Sequence, residues 1–116
     1  KEEKDIPEYI DKIIDNKICI SYSKTYTENI NVVIAQAADE LLTVKNIEAS
    51  FILGEKDGTI FISARSLGKI NVHVLMEKLG GGGHIDIAGA QLQGVSIDEA
   101  YNKVKQIIEQ YLREED

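Results

Sequence analysis

At 116 residues, with 43% hydrophobic and 28% charged side chains, the chain has the size and composition of one soluble globular domain and too little length for a second core. A formal net charge of −7 excludes a general nucleic-acid binder, which needs a basic face to meet phosphates, and no apolar run approaches the ~20 residues of a membrane helix. The single cysteine, Cys19, excludes an internal disulfide and, with no signal-peptide pattern, favours a reducing compartment in which it is a small strand side chain.

The opening Lys1-Glu2-Glu3-Lys4-Asp5 holds no initiator methionine, from which we expect a natural protein that begins upstream. Asp5 and Pro7 predict a short helix with Tyr9, Ile10, Ile13 and Ile14 on one face, a connector over residues 1–16, with the domain proper over 17–116. Residues 17–23 alternate, Ile18, Ile20 and Tyr22 against Cys19 and Ser21, which is the period of a half-buried strand. After the cap candidates Asn29 and Asn31, the residues Ile30, Val33, Ile34, Ala37, Ala38, Leu41 and Leu42 recur at helical spacing. Residues 47–53 and 59–65 read as strands, and the Asp57-Gly58 pair between them marks a hairpin.

A second helix follows with Asn71 as cap and Val72, Leu75, Met76 and Leu79 on the buried side. His73 falls on its opposite face, four residues before Glu77, as one partner of an exposed ion pair. Residues 87–93 read as a short strand in which Ala88, Ala90 and Leu92 share a face and Gly89 permits close approach of another backbone. Ser96-Ile97-Asp98-Glu99 is a capping box, opening a terminal helix with Ala100, Val104, Ile107, Ile108 and Tyr111 as its apolar stripe. The order helix, strand, helix, strand, strand, helix, strand, helix implies an α/β fold, a single domain with a mixed β-sheet flanked by helices.

The run Gly80-Gly81-Gly82-Gly83-His84 behind the second helix carries most of the functional signal. Glycine costs conformational entropy, so a run of it persists where the chain takes positive φ or another molecule approaches its amides; stopping the helix needs Gly80 alone. Successive free amides would form a concave anion nest, and His84 adds a donor that titrates near neutrality. Arg65, ending a strand, can clamp a phosphate bidentately, Ser66 adds a hydroxyl beside it, and Asn71 with the helix start offers further polar contacts. Taken alone, Arg65 suits a structural pair with an acidic residue slightly better. From Ser63 to His84 the cations Arg65, Lys69 and Lys78 outnumber the anion Glu77, a positive island that would focus a small anion in an acidic chain. No serine or cysteine is paired with a histidine by a local motif, and neither histidine sits in an Asp/His cluster, so these residues point to holding a ligand and not to cleaving it.

Taken together, Ile62-Ser63-Ala64-Arg65-Ser66, Asn71-Val72, Leu79-Gly80-Gly81-Gly82-Gly83-His84 and Ala88-Gly89 resemble the DHH-associated substrate-binding domain of DHH/DHH-associated phosphoesterases, and most of all the C-terminal regions of bacterial cyclic di-AMP phosphodiesterases of the GdpP type. The resemblance runs from Ser21 to the final helix. It implies an upstream DHH domain that binds two manganese ions and closes with this domain over the nucleotide. It gives Arg65 and Ser66 phosphate contacts, and Gly81, Gly82, Gly83 and His84 nucleotide and phosphate contacts. The whole enzyme would hydrolyse cyclic di-AMP to linear pApA, and this chain alone would be inactive, with no catalytic metal ligand of its own. Ile87-Ala88-Gly89 departs from the two small residues that the family often carries before its final glycine. The partners implied are a cyclic dinucleotide or short oligonucleotide and the DHH domain, with no long nucleic acid and no direct membrane contact. A homodimer, and a cytoplasmic location within a membrane-anchored bacterial protein, are compatible with the resemblance. An oligoribonuclease or nucleotide phosphatase of the same superfamily fits the residues as well, as does a nucleotide-sensing module without catalysis.

Overall fold

Six strands pair into one mixed sheet in the computed structural model, which describes residues 12–23 and 27–115. In chain order the elements are β1 (Lys12–Ile14), β2 (Ile18–Tyr22), α1 (Ile30–Leu41), β3 (Ala49–Lys56), β4 (Thr59–Ser66), α2 (Val72–Glu77), β5 (Gly82–Gly83), β6 (Ile87–Gln93) and α3 (Ile97–Glu115). The strands lie in the order β1-β2-β3-β4-β6-β5. Strands β2 and β3 run parallel with α1 as their crossover, while the other neighbours are antiparallel. The α/β arrangement expected from the sequence is therefore the one the chain adopts.

Alternation along the strands sorts the core into two layers. Ile18, Ile20, Phe51, Leu53, Ile60, Ile62, Ala88 and Ala90 face α2 and α3, whereas Cys19 and Ile52 face α1. Each fully buried Ile, Leu or Phe contributes about 1.5–3 kcal/mol through lost water contact. Strand β2 was expected to be half-buried; it is covered on both sides, with Cys19 at 0% exposure, because the crossover brings Leu41, Val44 and Ile47 into one cluster with it. From α1 the residues Ile30, Ile34, Ala38 and Leu41 go inward, and Val33, expected among them, stays 40% exposed. Helix α1 sits so close that a Cβ on Gly54 would lie 2.5 Å from Ile30 Cγ1. Asn29 is its N-cap residue but makes no side-chain cap bond.

Local signals elsewhere act as read. Asp57 and Gly58 take φ of 51° and 80° between the paired Lys56 and Thr59, the geometry of a tight hairpin turn. Ser96 Oγ accepts from the Glu99 amide at 3.1 Å while Glu99 Oε1 accepts from the Ser96 amide at 3.2 Å, a reciprocal capping box. His73 Nε2 lies 3.5 Å from Glu77 Oε2, as spaced.

The start of the chain is different. The connector helix expected over residues 1–16 is not formed over Lys12–Ile14, which pair with β2 as β1. Asp15 and Asn16 explain the change, since both take positive φ, 56° and 60°, and turn the chain back so that Ile14 enters the core at 8% exposure. Residues 1–11, the rest of that expected helix, lie outside the described residues. Strand β5 is the second departure: Gly82 and Gly83, expected as loop, pair with Gly89 and Ala88. Among the described residues no helix is long and apolar enough to cross a membrane.

Candidate functional site

Register fixes where the site residues fall. Arg65 of β4 lies opposite Ile87 of β6, and the His84 amide donates to the Ile87 carbonyl at 2.6 Å. Arg65, Ile87 and His84 thus form one row across the sheet. At ~4.8 Å per strand spacing the outer two backbones stand about 10 Å apart. The next row, about 7 Å along the strands, is Ser63, Gly89 and Gly82, and the third carries Phe61 and Gln91. Helix α1 packs on β3 and β4, and beyond it the same face of β6 is open, with Ile87 at 51% exposure.

Arg65 makes the pair with an acidic residue that its sequence allowed. Its side chain is 14% exposed, Nε donates to Asp39 Oδ1 of α1 at 3.0 Å, and Nη1 donates to the Ala64 carbonyl at 3.0 Å. A guanidinium carries five N–H donors, so some stay uncommitted while the group is held in place.

Ser66 and Asn71 are placed apart from that row and bind the protein itself. The Ser66 side chain, on a residue buried to 6% exposure, donates to the Ile85 carbonyl at 3.3 Å and accepts from the Gly68 amide at 3.2 Å. Asn71 Oδ1 accepts from the Val74 amide at 3.2 Å as the cap of α2. Of the amides at the helix start, that of Asn71 goes to the Tyr111 hydroxyl at 3.0 Å and that of Val72 to the Ile85 carbonyl at 3.0 Å. The Ser66 and Val72 bonds to Ile85, with Ser66 N to the Asp86 carbonyl at 2.9 Å, fasten residues 85–86 to the end of β4 and the start of α2.

The glycine run is likewise less free than a nest requires. The Gly81 amide donates to the Met76 carbonyl at 2.9 Å and that of Gly80 to the Glu77 carbonyl at 3.0 Å, which closes α2 in a Schellman motif with Gly80 at φ 82°. A Cβ on Gly81 would lie 2.1 Å from the Gly89 carbonyl, and Gly83 takes φ 146° against Ala88. Gly82 alone of the four has neither a positive φ nor an atom within 4 Å of its would-be Cβ. The positive island also disperses: Lys69 lines a separate small hollow with Asp15, Lys17 and Glu48, and Lys78 is the exposed C-cap of α2. Among the described residues no group of three His, Cys, Asp or Glu side chains could hold a metal ion; the manganese implied by the resemblance has no ligand set in them.

Sequence reasoning missed Asp39, which orients Arg65, and Ser63, which shares its strand face. Period two along β4 was the available signal for Ser63, a polar residue between the apolar Ile62 and Ala64.

The DHHA1 domain family matches residues 15–114. Cyclic-di-AMP phosphodiesterase GdpP of Bacillus subtilis (strain 168) is 40% identical over 124 residues, covering 94% of this chain and 19% of that protein. The protein of the same name from Geobacillus thermodenitrificans (strain NG80-2) is 52% identical over 81 residues, 69% of this chain and 12% of that one. An exopolyphosphatase-related protein from Bacteroides fragilis superposes with a TM-score of 0.66 at 26% identity, over 81% of this chain and 28% of that chain. The chain therefore spans 19% or less of these two curated relatives' length. With the match over residues 15–114 running from the β1–β2 turn into the last turn of α3, the chain belongs to the DHHA1 domain family.

Proposed function

We propose that this chain is the substrate-holding domain of a phosphodiesterase that opens cyclic di-AMP to linear pApA, with hydrolysis and the two manganese ions belonging to a DHH domain of the same protein. The observation that carries the reading is the row Arg65–Ile87–His84, in which a guanidinium oriented by Asp39 and an exposed imidazole flank one patch of open sheet. The names of the two relatives above support the substrate class. Arg65 would take a phosphate on its uncommitted N–H groups and His84 would donate from the far end of the row, positioning the nucleotide and neutralising its charge. Ser66 would serve at one remove, by fixing Ile85 and Asp86, and Asn71 by capping the helix whose first amide holds Ile85. On this reading the domain works in the bacterial cytoplasm on a nucleotide second messenger.

The test is a calorimetric and NMR titration of the chain with cyclic di-AMP and pApA. Shifts are expected at Arg65 and at residues 81–84, and Arg65→Ala or His84→Ala is expected to weaken binding about tenfold, the size of one charge-assisted hydrogen bond. Wild-type shifts confined to other surfaces would sink the proposal. Tighter binding of a linear oligoribonucleotide than of either dinucleotide would move the reading to an oligoribonuclease. With added manganese the chain alone is expected to hydrolyse nothing; turnover would overturn the division of labour.

A further inference from the structure

Ile87 stands in the middle of the row that Arg65 and His84 bound. Its neighbour Ala88 is 6% exposed in the core layer that faces α2 and α3. Successive strand residues alternate, so Ile87 points to the opposite, open face, where it is 51% exposed. Arg65, its cross-strand partner, shares that face. His84 extends the register of Gly82 with Gly89 and Gly83 with Ala88 by one pair, which sets it opposite Ile87 on the same side.

The guanidinium is drawn away from that partner. Nε is tied to Asp39 of α1, a helix that packs on β3 and β4, and Nη1 turns back to the Ala64 carbonyl of its own strand. At 14% exposure the group stays beside β4 while His84 lies two strands over. The surface between them is hydrocarbon. Beyond Ile87, the bond from the Ser66 amide to the Asp86 carbonyl carries the pairing one step further, and Leu67 and Ile85 come next at 59% and 51% exposure. A phosphate centred over Ile87 would give up water and find no donor there, which no charge does without cost. A sugar can lay its C–H groups on the same spot and lose little. Resting on the function proposed above, we propose that Ile87 is a specificity-determining residue, which divides the row into one anion position at Arg65 and another at His84 and so selects ligands carrying two phosphates separated by a sugar over ligands carrying one. In pApA successive phosphates flank a ribose, and that ribose covers Ile87. A small side chain in its place would let a single phosphate settle between both donors.

Calorimetric titration with pApA and with ApA, which keeps both nucleosides and lacks the terminal phosphate, reads the division directly. Wild type is expected to bind pApA roughly tenfold more tightly than ApA, the worth of a second charge-assisted contact. Binding of pApA is expected to weaken with Arg65→Ala and with His84→Ala alike. ApA, with one phosphate, is expected to weaken with Arg65→Ala alone, since the guanidinium is the stronger phosphate donor. In Ile87→Ala, ApA is expected to tighten about threefold or more and to become sensitive to His84→Ala as well, so that the preference for pApA narrows. Ile87→Thr keeps a branched side chain suited to a strand and adds a donor; it is expected to narrow the preference too, in a chain whose thermal unfolding matches wild type. ApA weakened by both Arg65→Ala and His84→Ala in the wild-type background would overturn the division, and so would a ratio of pApA to ApA binding that neither Ile87 variant moves. Either result leaves the substrate-holding role standing. Binding of pApA that neither Arg65→Ala nor His84→Ala weakens, or no binding of pApA, would overturn both proposals.

Discussion

Asp39 of α1 holds Arg65 of β4 by a 3.0 Å bond from Nε, which ties the helix to the strand that carries the guanidinium. The carboxylate is 64% exposed and the guanidinium 14%, so the pair sits where water screens the acid but not the whole base.

An exposed ion pair contributes at most about 1 kcal/mol, so Asp39→Ala is expected to change the unfolding free energy by no more than that in urea titration. Arg65→Lys keeps the charge but loses the planar fork that grips phosphate. Its affinity for pApA is expected to fall between those of wild type and Arg65→Ala. A Lys variant equal to wild type would mean that charge alone matters.

Two adjacent glycines should behave oppositely. Gly81→Ala forces a Cβ to 2.1 Å from the Gly89 carbonyl, and overpacking of that kind costs about 1–3 kcal/mol. Gly82→Ala meets nothing within 4 Å, and a strain-free Gly→Ala change stabilises by about 0.4–1 kcal/mol through the unfolded chain. Thermal unfolding of the two variants checks the order, and nucleotide titration of Gly82→Ala is expected to reveal weakened binding in a fold at least as stable as wild type.

Ser66→Ala deletes a bond to the Ile85 carbonyl that the Val72 amide also reaches. The loss is expected near 1 kcal/mol, that of a typical buried hydrogen bond. Amide exchange at Val72 and His84 is expected to quicken selectively; a uniform increase across the sheet would point to global destabilisation instead.

Burial pushes the Cys19 thiol up to about 12 from an ordinary value of 9.0, against a smaller opposing effect of a backbone hydrogen bond. Because the folded state holds that proton more tightly than the unfolded chain, the group leaves stability unchanged below about pH 9 and lowers it as pH rises from there toward 12. Only the thiolate reacts with alkylating reagents, so iodoacetamide at pH 8 is expected to label Cys19 only in urea that unfolds the chain.

Much of this architecture is legible in the residues. Asp57-Gly58, the capping box at Ser96 and Glu99, and Gly80 behind α2 are local rules obeyed by a few neighbouring atoms, and each is present as read. Strand β1 escapes because three residues carry too little period to outweigh the helix signal of Asp5 and Pro7, although Asp15-Asn16 is a turn pair in its own right. Strand β5 escapes because glycines show no alternation at all. The commitments of Ser66 and of the Gly80 and Gly81 amides depend on where the chain returns around Ile85 and on how α2 closes. No spacing in the sequence announces them.

The parallel seam gives the sheet two folding histories. Ile18 meets Ala49 only after the α1 crossover is laid down, whereas β3 and β4 are joined by a tight hairpin. Non-local pairing of the first kind is the slower to form and the earlier to open. Native-state hydrogen exchange should therefore find the β2–β3 seam opening at lower free energy than the β3–β4 hairpin, so that Arg65 keeps its strand after the seam has parted.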